Sequence, residues 1–144
     1  MNAEHPEKPQ SVKECLSFNL AYFDGTQKAG QKIEEWSEAD KNDLLHKVKS
    51  YCNENKVYWL NQRCGAGGNT ILEIYGNFPR NTDFVKPANV PDHVRWARFR
   101  MEGAKRLVGF FWEDEFARQH ELSTQVFHVV FLDANHKFYK MEKK

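Results

Sequence analysis

The chain has 144 residues, 40% hydrophobic and 14% aromatic, with 21 basic and 20 acidic side chains for a net charge of +1. This is one domain's worth of chain with enough apolar mass for a core, too aromatic for a disordered polypeptide, and too neutral for a surface that binds polyanions everywhere. No apolar run approaches the roughly 18 residues of a membrane span, and three cysteines without paired spacing (Cys15, Cys52, Cys64) do not make a disulfide framework, so a reducing cytoplasm is the expected compartment.

Residues 1–14 are polar, carry two prolines and lack the apolar centre of a secretory signal, so they read as a flexible tail. The domain is expected over 15–144. Leu16–Phe23 alternates apolar and polar side chains, a strand signal, closed by Asp24-Gly25. A short helical piece is expected within Lys28–Trp36. Ser37, three residues before Asp40, then opens the clearest amphipathic helix, roughly 38–54, in which Leu44, Leu45, Val48, Tyr51 and Cys52 recur at helical spacing. Val57–Leu60 is ambiguous, and Ile71–Tyr75 fits strand or helix. Residues 61–93 form a long insert with a glycine-rich loop at 64–69 and Pro79, Pro87 and Pro91, expected to be irregular.

The C-terminal third changes character. Val94–Met101 alternates, Glu102–Lys105 is a turn, and Arg106–Trp112 is a second strand. A charged link, Glu113–Thr124, leads to the almost wholly apolar strand Gln125–Asp133, which should be central in its sheet. The predicted fold class is α+β: an N-terminal strand, two helices, then a three-stranded antiparallel meander packed on the helices, with the opposite sheet face partly open.

Charge is distributed unevenly. Residues 1–60 carry 8 basic and 10 acidic side chains, whereas 78–106 carry seven basic (Arg80, Lys86, Arg95, Arg98, Arg100, Lys105, Arg106) and three acidic. Alternation puts Arg98 and Arg100 side by side on one sheet face, together with Trp96, whose ring could stack on a base. Adjacent guanidiniums repel unless solvated or paired. A phosphate would resolve the conflict, and so would acidic groups of the protein itself. Whether Arg106 joins them depends on the turn: an even-numbered loop sends it to the opposite face, while an odd loop or a bulge brings it in.

Other chemistries have weaker support. His120-Glu121 lacks the second histidine of a zinc-protease helix, since position 124 is Thr, and no histidine has Cys or carboxylate partners at ligand spacing, so neither metal nor cofactor is expected. The Cys64–Gly68 loop lacks the Lys-Ser/Thr of a phosphate loop. Glu34-Glu35 and Glu113-Asp114-Glu115 read as solvated charges.

The run from Trp96 to Phe110, WARFRMEGAKRLVGF, resembles the basic β-hairpin of RelE/ParE-like toxins. Val126–Leu132 resembles their next strand, and His136 to Tyr139 their C-terminal ending. The resemblance covers about 14–54 and 94–140. The long insert and the near-neutral charge depart from the family's pattern. The resemblance implies metal-independent endoribonuclease activity, in which a ribose 2′-hydroxyl attacks the adjacent phosphate. Arg106 matches the central arginine, assisted by Arg98 and Arg100; His136 and Tyr139 would move protons, with His128 a third candidate. Arg95, Trp96, Lys105 and Lys137 would contact RNA. The implied partners are a cognate antitoxin and RNA or the ribosome, not a membrane. The competing expectation is a non-catalytic phage- or plasmid-type accessory protein that binds a protein partner through the basic sheet face.

Overall fold

The computed structural model describes residues 15–64 and 69–140. The tail expected at 1–14 and most of the glycine-rich loop lie outside the described residues. The architecture is α+β. Strands β1 (Ser17–Asn19), β2 (Leu72–Gly76), β3 (Val94–Arg100), β4 (Arg106–Trp112) and β5 (Val126–Asp133) form one sheet in the order β1-β5-β4-β3-β2. The antiparallel β3-β4-β5 meander is its centre. β1 joins β5 in parallel, and β2 extends the β3 edge. Ile71–Tyr75 thus resolves to a strand, and the sheet has five strands where the sequence indicated an N-terminal strand and three later ones.

Helix α1 (Glu38–Tyr51) starts where the Ser37 hydroxyl accepts from the Asp40 N–H at 3.1 Å. It stops at Tyr51, short of residue 54. Helix α2 (Lys56–Leu60) follows, its N-terminus capped by the Asn55 side chain accepting from the Tyr58 N–H at 2.8 Å; that cap settles the ambiguous Val57–Leu60. Ile33–Glu35 is a single 3₁₀ turn. Helix α3 (Asp114–Gln119) occupies the charged link. The N-terminal strand is only three residues long, because Asn19 turns its carboxamide onto the Ala21 N–H (2.8 Å) and the chain leaves the sheet.

The sheet separates two apolar layers. On the helix side, Phe99, Met101, Leu107, Phe111, Phe127 and Leu132 pack against Tyr51 and Trp36, with Leu44 and Val48 half-covered. Tyr51 stacks on Phe99 (centroids 4.7 Å apart) and donates its hydroxyl to the Arg100 carbonyl at 2.6 Å. On the other side, Trp96, Val108, Phe110, Val130 and Phe131 lie beneath Phe84, Val90 and Phe138, with Phe78 and Tyr75 beside them. The second face is therefore not partly open. The insert supplies β2 and, apart from Phe138, this cover, and Gln27 holds it: its amide donates to the Val85 carbonyl (2.6 Å) and accepts from the Val85 N–H (2.7 Å).

Gly109 marks the one irregularity between the central strands, a register shift between Val108 and Gly109. A Cβ at this position would fall 2.0 Å from the His128 carbonyl oxygen, so only glycine permits the approach.

Candidate functional site

The turn between β3 and β4 decides the site. Arg100 pairs with Arg106, leaving a five-residue loop, 101–105. Met101 N–H bonds to the Lys105 carbonyl (3.0 Å), and Gly103 takes φ +59°, a left-handed conformation suited to glycine. The loop is odd, so Arg98, Arg100 and Arg106 share one face, the one that carries Trp96 and Phe110. Register then lines up Arg100, Arg106 and Asp133 in a row across β3, β4 and β5, with Glu73 of β2 opposite Arg98.

Each guanidinium is held differently. Arg98, 4% exposed, pairs with the Glu73 carboxylate at 2.8 Å and donates to the carbonyls of Thr70 (2.9 Å) and Ile71 (3.1 Å). Arg106, 6% exposed, donates through Nη1 to the carbonyls of Gly103 and Lys105, both at 2.8 Å, while its buried Nε has no partner. Arg100 is half-buried; its Nε too is buried without a partner, and it makes no ion pair among the described residues. Asp133 does not answer Arg106, because its two oxygens accept the N–H groups of Lys137 and Phe138, each at 2.9 Å. Burial, then repulsion from Arg100 and Arg98, pushes the Arg106 guanidinium below its usual value, against the pull of Tyr75 and Asp133. Like charges directly opposite on a sheet oppose each other, and buried N–H donors without acceptors cost free energy. Three cations thus share one sheet face, and among the described residues only Arg98 has a carboxylate within ion-pair distance.

Tyr75 borders the cluster. Burial, only partly offset by Arg98, raises its hydroxyl to about 12, so it stays protonated and can donate. Tyr139, 42% exposed, stacks on Tyr75 with centroids 4.3 Å apart and planes 13° apart. The structure thus brings together Arg98, Arg100, Arg106 and, through Tyr75, Tyr139.

The other expected residues stand elsewhere. Trp96 is 1% exposed and offers no free face to a base; it packs against Phe78, Phe110 and Phe131. Arg95 is exposed but, as an odd-numbered residue of β3, lies on the helix-side face toward the other end of the strand. Lys105 turns to Asp40 of α1 at 3.6 Å. His136 is half-buried at φ +60° in the turn after β5, and Lys137 is exposed beside it. His128 sits five residues before Asp133 on β5, about 16 Å along the strand from the cluster. It stacks on Phe110 at 4.9 Å, its Nδ1 has no partner, and burial lowers its pKa.

Sequence reasoning missed Glu73, Tyr75 and Asp133. The first two lie in a segment whose type was ambiguous, and Asp133 is a lone acid ending an apolar strand, whose register with Arg106 only pairing reveals. Among the described residues no group of three or more His, Cys, Asp or Glu is placed to hold a metal ion, and no helix is long and apolar enough to cross a membrane. Comparison of the chain with protein-family models, curated proteins and solved structures finds no significant match.

Proposed function

We propose that this chain is a small RNA-binding protein of RelE/ParE-like type that cleaves RNA without a metal, with the phosphodiester seated on the arginine cluster. One observation carries the reading: the five-residue loop gathers Arg98, Arg100 and Arg106 on one face, and among the described residues only Arg98 has a carboxylate within ion-pair distance. A central β3-β4-β5 meander with helices packed on one side is consistent with the resemblance in the hairpin sequence.

In this reading Arg100 and Arg106 stabilise the charge that grows on the phosphoryl oxygens as the 2′-oxygen attacks phosphorus. The 5′-oxygen leaves with a proton, giving a 2′,3′-cyclic phosphate and a 5′-hydroxyl end. Tyr139, stacked on Tyr75 at the border of the cluster, would exchange protons. A cognate antitoxin would cover the same basic edge.

A second reading has its own support. Arg98 and Arg106 are more than nine-tenths buried, so the cluster presents mostly Arg100 and guanidinium edges. That suits an acidic protein partner bound without catalysis. Expression of the wild-type chain and of Arg100→Met, with growth and transcript integrity followed together, separates the readings. Growth arrest and transcripts with cyclic-phosphate ends, both lost in Arg100→Met, support cleavage. A harmless protein that leaves RNA intact ends that reading, and a partner retained after nuclease treatment points to the second.

A further inference from the structure

A groove opens on the helix side, on the opposite face of the sheet from the arginines. It measures about 370 Å³ and lies between α1 and the β1-β5-β4 part of the sheet. Phe18, Phe23, Leu44, Val48, Val129 and Leu132 line it, and nearly all its wall is carbon. Leu20 (60% exposed), Ile33 (41%) and Leu45 (67%) stand at the side of it, apolar surface left in water. Its one charged lining residue is Lys41, in the first turn of α1, which makes no ion pair with a described residue.

We propose that this groove binds a small amphiphile with one anionic head, such as a medium-chain carboxylate, its chain against Leu44 and Val48 and its head on Lys41. Three features select that chemistry. The volume falls in the roughly 300–1,000 Å³ range of small-molecule sites, which are mostly apolar with a few polar groups that fix orientation. The one charged side chain among the lining residues is Lys41, near the start of α1, whose cation complements one negative head and no more. The run along α1 from Lys41 to Val48 is about 10 Å, the length of an extended chain of about eight carbons at ordinary bond lengths and angles. The site shares no residue with the arginine cluster, so it stands or falls apart from the proposed RNA chemistry.

The test titrates octanoate, octanol and octylammonium into the full chain by calorimetry, below the concentrations at which these amphiphiles aggregate, using wild type, Lys41→Glu and Leu44→Trp. Wild type is expected to bind octanoate with one-site saturation, about fivefold tighter than octanol, the factor for an ion pair of about 1 kcal/mol at a partly exposed site. Lys41→Glu, a change on the surface of α1, should invert the preference toward octylammonium. Leu44→Trp, folded as judged by circular dichroism, should bind none of the three. Absence of saturable octanoate binding by wild type overturns the proposal, as does equal affinity for octanoate and octanol, or a preference unchanged in Lys41→Glu. A dimer in sedimentation that Leu45→Lys makes monomeric also overturns it, since a second copy would then fill the groove.

Discussion

Arg100 is the residue at which structure and function should pull in opposite directions. Its Nε is buried without an acceptor, its side chain makes no ion pair among the described residues, and it sits directly across from Arg106. Replacing it with Met keeps a long apolar stem on the sheet and removes the charge. The backbone bonds that use this position, its N–H to the Ile71 carbonyl (2.9 Å) and its carbonyl to the Tyr51 hydroxyl (2.6 Å), are untouched. An unsatisfied buried donor costs about 1–3 kcal/mol, and uncompensated like charge adds to that. Arg100→Met should therefore stabilise the fold by about 1–2 kcal/mol, a rise of roughly 3–8 °C in Tm for a chain of this size. The gain should shrink in 1 M salt, where the screening length falls to about 3 Å. Inorganic phosphate should reverse the order. Wild type gains stability as the anion fills the site, about 2.7 kcal/mol at a hundredfold excess over Kd, and the variant gains much less. Urea denaturation of both proteins, with and without phosphate at constant ionic strength, reads all of this. A destabilised Arg100→Met, or equal phosphate effects in the two proteins, would refute the reasoning.

Three further outcomes follow from the geometry. Gly109→Ala should destabilise by about 1–3 kcal/mol or more, the range for overpacking, because its Cβ would meet the His128 carbonyl at 2.0 Å; denaturant midpoints measure it. His128 is held neutral by burial, its folded pKa below the unfolded value near 6.5. Its contribution is thus intact above about pH 6.5 and lost as pH falls from there through the folded pKa, where the unfolded chain binds the extra proton. Wild type should lose stability over that interval, and His128→Phe should flatten the profile. Trp96→Ala should cost about 3–5 kcal/mol, the usual range for a buried aromatic, whereas Tyr139→Ala, at a 42% exposed ring, should cost far less while weakening RNA binding in a filter assay.

Much of the fold was legible in local pattern. The alternation of Val94–Met101, the apolar run ending at Asp133 and the Ser37 cap each specify their element through nearest neighbours. What escaped depends on contacts distant in sequence. Leu72–Gly76 becomes a strand because β3 offers it an edge, and Gln27, far away in the chain, ties down the proline-bearing segment through Val85. The site divides along the same line. Clustering of arginines is visible in sequence, and so is the dependence of their convergence on loop parity. The parity itself, the capture of Arg98 by Glu73 and the diversion of Asp133 to backbone N–H groups are set by register. Trp96 shows the limit of face assignment: alternation puts it on the arginine face, but Phe78, from the insert, closes over it.

The proposed seat for an RNA phosphate is the face that Arg98, Arg100 and Arg106 share. Its most direct measurement is the affinity of the chain for a short single-stranded RNA across 50–200 mM salt, wild type against Arg100→Met. The variant should bind more weakly at every salt concentration, with a slope of log K against log salt shallower by about 0.7, the value for one phosphate contact on a single strand. Superimposable lines for the two proteins would contradict the proposal.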